Sequence, residues 1–575
     1  MRKYSIGFFL LLLAACTITQ NGSMNETTGG TVTTAVFPTT TPTPPPSPVP
    51  TSIPLPTVTA TAVPPAAADL TISPQNIYLY PGPAIYSGDR VTFQILPFLP
   101  ATITPDMVSV HIMVGDTIVS SGNLNDRNLD GKAVGLFKWA WDTSNMAGSR
   151  EVQIILDRDD HIQVGDEDPS NNQVTMMVTV QENKDRPFLE VGAEWVTAES
   201  NCCFIHAISG TAAARDLPEL TAMTETAVQE AVSRLNEPLA NKIELYFVDK
   251  VIGHGGYAGS SIVISYLDRD YAGTGLHEVL VHESSHVIDR QFAPNRIVFL
   301  TEGLAVWASG GHFKPDDLNQ RAAALVATGY YMPLHELIDD FYHAQHEASY
   351  SQAAGFVSYL IDTYGWPSFR DFYSDVTADD APTLAEVIDL NLQAYYGKTL
   401  AEMEAQWLAY LGTLPPDRTE VTDLLTTIRY YDVVRSYQIA YDPTAYFLTA
   451  WLPAPQDVQE NGNTADLTRH PRSEINVTLE VMLRASEMAI RNGDYELANI
   501  LLDSITRVLD NGGVFVDPMA VNYLNIVRTA ERLGFEVQQV ELMGDDALVR
   551  VTSATKTTLN TLNFTLSRGT WVLIN

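Results

Sequence analysis

The pentapeptide His282-Glu283-Ser284-Ser285-His286 constrains this 575-residue chain more than any other stretch of it. Two histidines four positions apart come close enough to share one ion only on an α-helix, where they sit about a turn apart. Leu276, Leu280 and Val287 recur around the motif at helical spacing, which predicts a half-buried helix over 276–290. Both imidazoles can then reach one zinc ion, with Glu283 slightly to the side. Zinc lowers the pKa of a water, and a nearby carboxylate can accept the proton.

A second helix is predicted at Phe299-Leu-Thr-Glu302-Gly-Leu-Ala-Val-Trp, ending at Gly310-Gly311. Glu302 is the one acid in this apolar run, where an unpaired carboxylate is costly and a cation would satisfy it. His282, His286 and Glu302 plus a water form an open tetrahedral set, the kind used for catalysis rather than for a closed structural zinc.

The two segments together resemble the gluzincin metallopeptidases, particularly the bacterial peptidase-MA-like domains. Gly255-Gly256-Tyr257-Ala258-Gly259 upstream and Tyr350-Ser-Gln-Ala-Ala-Gly-Phe-Val-Ser-Tyr-Leu downstream are similar to that family as well. The resemblance implies a zincin-like α/β (α+β) catalytic domain over 186–411 and peptide-bond hydrolysis. By it, His282, His286 and Glu302 are zinc ligands, Glu283 is the general base, and the strand near Gly259 to Ile264 pairs with an extended peptide. Spacing alone implies only zinc-assisted hydrolysis.

The chain departs from the better-known gluzincins in two places. Glu302 follows His286 by only sixteen positions, and Val306 stands where thermolysin-like enzymes carry an aspartate that orients a ligand histidine. Asp289 or a backbone carbonyl is left to do that orienting. For the donor that must face the developing oxyanion, Tyr350 is the candidate; the alternative is a tyrosine packed at a helix start. His254, His277, His312, His335, His343 and His346 receive no role. There is no Gly-x-Met-Glu-Asn stretch, so nothing points to aminopeptidase action.

The amino terminus speaks to location. Arg2 and Lys3 precede a ten-residue apolar run, Ile6 to Ala15, which is too short to span a bilayer and reads as an export signal. It ends Leu13-Ala14-Ala15-Cys16, similar to the bacterial lipobox, so residues 1–16 are expected to be a lipoprotein signal with Cys16 the acylated residue. A lipid anchor on the extracytoplasmic face of the cell membrane follows. Residues 17–68 are a Thr/Pro-rich linker, with eleven of the chain's 33 prolines between Pro38 and Pro65. Extended polyproline would make it a stalk on the order of 100 Å long.

Residues 69–181 alternate apolar and polar positions in short runs, predicting an antiparallel β-sandwich. Trp141-Asp-Thr and Gly165-Asp-Glu-Asp-Pro-Ser-Asn-Asn172 resemble the immunoglobulin-like CARDB modules of bacterial surface proteins. Within it, Asp126-Arg-Asn128-Leu-Asp130-Gly131 matches half of an EF-hand-type calcium loop. Phe137 occupies the place of the closing glutamate, and an acidic hairpin turn is the favoured reading. Residues 416–575 read as helices near 474–491, 494–510 and 518–533 followed by a small β segment, with no assigned chemistry. Cys202 and Cys203, the cysteines beyond Cys16, are read as two small residues of a buried strand in preference to a vicinal disulfide or a thiolate metal site.

Charge excludes one class of partner. With 34 Lys and Arg against 69 Asp and Glu, a net charge of −35 argues against binding nucleic acid through its phosphates. The expectation is a multidomain, membrane-anchored zinc metallopeptidase acting on protein or peptide. Two alternatives stay open: a surface adhesion or scaffold protein with a vestigial peptidase fold, and a zinc hydrolase of a non-peptide cell-wall component.

Overall fold

A computed structural model describes residues 69–574 apart from 163, 164, 254, 462, 554 and 555, together with the short strand Ala14–Ala15. Cys16, the rest of the signal and the Thr/Pro-rich segment lie outside the described residues, as does His254.

The first region is two sheets around one core. One sheet has the order Ile85–Tyr86, Gln173–Gln181, Gly148–Leu156, Ser109–Val114, Thr117–Asn123. The other runs Ile77–Tyr80, Arg90–Ile95, Ala133–Asp142, Asp126–Arg127. Inward positions alternate along the strands, so Val110 and Ile112 meet Val152 and Ile154 in a core shared with Val91, Phe93 and Ile95 of the facing sheet. Asp126–Arg127 and Ala133–Asp142 make the hairpin around the suspected calcium loop.

The middle region carries a mixed sheet whose strands we number β1 (Trp195–Glu199), β2 (Cys203–Ile208), β3 (Ile243–Val248), β4 (Gly255–Ala258) and β5 (Ile262–Ser265). Their order across the sheet is β4-β5-β3-β2-β1. β2, β3 and β5 are parallel, while β1 and β4 run antiparallel to their neighbours. Helices α1 (Leu217–Leu235), α2 (Leu276–Asp289), α3 (Val298–Ser309) and α4 (His346–Tyr364) pack with the sheet into a single core. Cys202 and Cys203 are joined by a disulfide at the entrance to β2, contrary to the reading of two unlinked small residues. The Glu225 carboxylate accepts from the backbone N–H groups of Asn201 and Cys202, holding the tight turn there.

A long helix, α5 (Arg418–Tyr441), opens the last region, followed by α6 (Glu474–Arg491), α7 (Tyr495–Asp510), α8 (Pro518–Arg532) and a four-stranded antiparallel sheet over 535–574. This region shares its core with the middle one: Leu267, Tyr271 and Phe313 pack with Tyr430, Tyr431 and Tyr437 of α5. The sandwich is docked as well. The Arg469 guanidinium reaches Asp89 of the sandwich and Glu190 of the following segment, all three side chains being at most 4% exposed. No described helix is long and apolar enough to cross a membrane.

Candidate metal centre

Helix α2 starts after Gly275 and carries the histidine pair on the face turned to α3. The sequence pattern predicts a half-buried helix. Instead nearly all of α2 is enclosed, with α1 on one side, α3 on another and strand β4 against it. Ser284 and Ser285 are fully buried, their small size leaving room for neighbours at van der Waals distance. His277 and Glu278 are polar residues at the rim, His277 pairing with Glu230 of α1.

His282, His286 and Glu302 converge. The Nε2 atoms of the two histidines are 3.1 Å apart, and Glu302 Oε2 lies 3.2 Å from that of His282 and 3.5 Å from that of His286. Ligand atoms about 2.05 Å from one ion in a tetrahedron stand about 3.3 Å from each other, so the three spacings suit a single zinc-sized ion. Among the described residues they form the one group of three metal-ligating side chains this close together. Both imidazoles could donate to the Glu302 carboxylate, but their Nε2 atoms would then face each other at 3.1 Å as two N–H groups, a repulsion that a shared cation would relieve.

Electrostatics agree with the donor set. Burial pushes the His286 imidazole down to about 4, so it is neutral near pH 7 with a lone pair to offer. Burial works against the charge on Glu302, but His286 and His282 more than offset it and hold its carboxyl below the usual range. Glu283 moves the opposite way: burial, then the neighbouring Glu302 charge, raise its carboxyl far above the ordinary value, opposed by Arg290. Both Glu283 oxygens are buried with no hydrogen-bond partner among the described residues. A buried acid left without a partner calls for one, and a bound ligand would provide it.

Helix α3 can bring Glu302 to this point because Gly303 lies beside it. A Cβ at Gly303 would stand 2.7 Å from the Ala353 carbonyl oxygen and 2.9 Å from Val357 Cγ2, both on α4. The crossing of α3 and α4 therefore needs a glycine at that position, which also accounts for the Glu-Gly-Leu-Ala run.

The remaining expected residues fall as follows. Tyr350, on α4, is buried with its ring 6.4 Å from that of His282, so it joins the site's wall. Asp289 does not orient a ligand histidine. Its carboxylate takes the Arg296 guanidinium and the Tyr373 hydroxyl at 2.6 Å, while Arg296 also donates to the His286 backbone carbonyl. His286 Nδ1 is buried without a partner among the described residues. The strand at 262–265 is not free to take a peptide, because β3 and β4 flank it on both sides. β4 is the outer strand of the five, and the segment Ala14–Ala15 pairs antiparallel with it at Gly255 and Gly256. Arg290, at the end of α2, donates to the carbonyls of Ala258 and Gly259 and so fastens β4 to the site helix.

Two features escape a reading by spacing. Tyr342, in the short turn Phe341–His343, has its hydroxyl buried against Glu302, and its phenol is raised by burial and then by that carboxylate. Behind Tyr350, the His312 ring stacks at 4.7 Å and is held at Nδ1 by Glu347, 2.6 Å away. Glu347 in turn takes Arg321, which also pairs with Asp423 of α5. No local pattern in the sequence signals either of them.

No known family matches the chain's sequence, and no curated protein is similar to it.

Proposed function

We propose that this protein is a zinc-dependent metallopeptidase of the gluzincin kind, exported and held at the membrane through a lipidated Cys16. The observation that carries the hydrolase reading is the triangle of His282 Nε2, His286 Nε2 and Glu302 Oε2, with edges of 3.1, 3.2 and 3.5 Å. The adjacent Glu283 carboxyl, enclosed and unpartnered among the described residues, supplies the base. Support for a peptide substrate is the antiparallel strand β4 beside α2, whose outer edge accepts an extended segment. The zincin-like fold of 186–411 and the CARDB-like character of 69–181 belong to the same proposal.

The residues present fit a zinc ion, which would be held by His282, His286 and Glu302. When bound, it supplies a Lewis acid that favours deprotonation of a water and polarises a carbonyl. Glu283 takes the proton from the attacking water and passes it to the departing amine. A bound cation would favour the ionised form of the Glu283 carboxyl against the burial that raises it. Tyr342 and Tyr350 offer phenolic O–H groups to the carbonyl oxygen as it gains charge. The apolar enclosure of α2 and α3 excludes water from these groups and strengthens each interaction.

The test is metal analysis of the purified chain and digestion of a broad peptide library with and without chelator. About one zinc per chain is expected. Glu283→Gln should keep the metal and lose hydrolysis; cleavage that survives this change overturns the mechanism. Cleavage absent from the zinc-loaded wild type overturns the peptidase reading.

A further inference from the structure

The sandwich has two acidic loops, and they differ in what their oxygens face. In the hairpin at 126–131, Asn128 Oδ1 accepts from the backbone N–H groups of Asp130 and Lys132 at 3.2 and 2.9 Å. Asp126 Oδ1 takes the Arg127 N–H, and Asp130 pairs with Lys132 at 2.6 Å. These side chains build a turn and are occupied in doing so.

The other loop, Gly165–Asn172, is unsatisfied. Asp166 Oδ1, Asn171 Oδ1 and Asn172 Oδ1 are all buried with no hydrogen-bond partner among the described residues. Asn172 is only 4% exposed, and its amide is directed at Asp166, whose Oδ2 accepts from Nδ2 at 2.6 Å. Asn171 Nδ2 donates to Asp69 Oδ2 at 2.7 Å, while Asp69 Oδ1 takes the N–H groups of Glu167 and Asp168 at 3.0 and 2.9 Å. Asp168 caps the short turn through Ser170. The carboxyls of Asp69 and Asp166 lie side by side, with Asp157 and Asp160 adding negative charge nearby. Among the described residues, neither Asp69 nor Asp166 has a Lys, Arg or His ion-pair partner; the two carboxyls face each other and a set of backbone and side-chain amides.

All three orphaned atoms are acceptors, so the missing group is positive or a donor. Two carboxylates and two amide carbonyls, with no imidazole or thiolate, are a hard oxygen set that suits calcium and not zinc. The cluster is also held rigidly. The Asn172 carbonyl accepts from Leu156 N–H at the end of its strand, and the Asn171 carbonyl accepts from Ile72.

We propose that Asp69, Asp166, Asn171 and Asn172 form a calcium site, separate from the metal centre on α2 and α3. Asp69 follows the Thr/Pro-rich segment directly, so the ion would pin the chain where that segment enters the sandwich.

Calorimetric titration of calcium chloride into the full zinc-loaded chain tests this. The expected result is one calcium per chain with a Kd of roughly 0.1–1 mM, the range of extracellular calcium modules, and binding of magnesium at least about ten-fold weaker. Asp166→Asn should weaken calcium by at least about ten-fold, while Asp130→Asn in the satisfied hairpin leaves it unchanged. No binding up to about 10 mM, an unchanged Kd in Asp166→Asn, or loss in Asp130→Asn instead, each overturns the proposal. If Asp166→Asn does not fold, the wild type decides. Calcium, and not magnesium, should slow proteolysis of the chain next to Asp69, and equal cleavage in both ions overturns the site.

Discussion

Tyr342 and Tyr350 show how far a single residue's role depends on where its hydroxyl lies. Both phenols are buried beside Glu302 and Glu283, which together with burial keep them protonated and able to donate. Replacing each by Phe removes one hydroxyl and leaves the ring packing in place. On the peptidase reading, loss of the true donor should lower kcat by roughly 10²–10³-fold with KM nearly unchanged. Steady-state kinetics of Tyr342→Phe and Tyr350→Phe on one peptide separates them; equal, minor effects in both would remove the phenols from the mechanism. His282, Glu283, His286 and Glu302 were readable beforehand because the helix repeat alone brings the first three together, and an acid in an apolar run declares itself. Tyr342 was not readable: its relation to Glu302 arises from a turn forty residues further on. Asp289, one of two candidates for orienting a ligand histidine, instead serves Arg296 and Tyr373, since a carboxylate one turn beyond a histidine can equally reach an arginine and a tyrosine.

At the level of the helix, the candidate metal centre depends on a contact that carries none of its three converging side chains. Gly303 allows α3 to lie on α4, and a methyl group there meets backbone atoms of Ala353 that cannot turn aside. Gly303→Ala should therefore separate the two helices and move Glu302. Overpacking of this kind costs about 1–3 kcal/mol. A drop in melting temperature is expected, together with weaker zinc retention, measured by dialysis against a competing chelator. Unchanged metal retention would mean that α3 finds another seat without displacing its glutamate. Helix and strand positions in this part of the chain followed from periodicity to within a few residues: α6 spans 474–491 as expected, and β3 and β5 lie where apolar runs place them. Sheet order did not follow. Which strand stands at the edge depends on pairing across the chain, and so the strand near Gly259 to Ile264, expected to pair with a peptide, has both of its sides taken within the sheet.

The three regions of the molecule are less independent than their compositions suggest. Arg469 lies 380 positions from Asp89, yet the two are joined, and the Arg469 guanidinium also lies over the Tyr86 ring. Removing the cation leaves Asp89 and Glu190 buried with Arg186 as their remaining counter-charge. Loss of one partner from a buried pair costs about 3–5 kcal/mol, and Arg186 keeps the cost here at or below the lower end. Arg469→Ala should accordingly lower the melting temperature and open the 182–194 connection to proteases; a variant as resistant as the wild type would show that the sandwich is held by apolar contact instead. Composition marked the sandwich and the helical carboxy-terminal region as distinct stretches. It could not show that α5 completes the core beside Tyr271 and Phe313, since that packing is a long-range property of side chains alike in type.

The bond from Arg290 to the end of β4 has a consequence for a substrate laid along that strand. Strand and ligand-bearing helix are clamped at one end, so the distance from the strand's terminus to Glu283 is constant. A chain gripped by backbone pairing would, on the peptidase reading, be measured against a ruler, and the bond presented for attack would be chosen by counting residues from the grip. On the peptidase reading, unrelated peptides would be cut at a common offset even where their side chains have nothing in common.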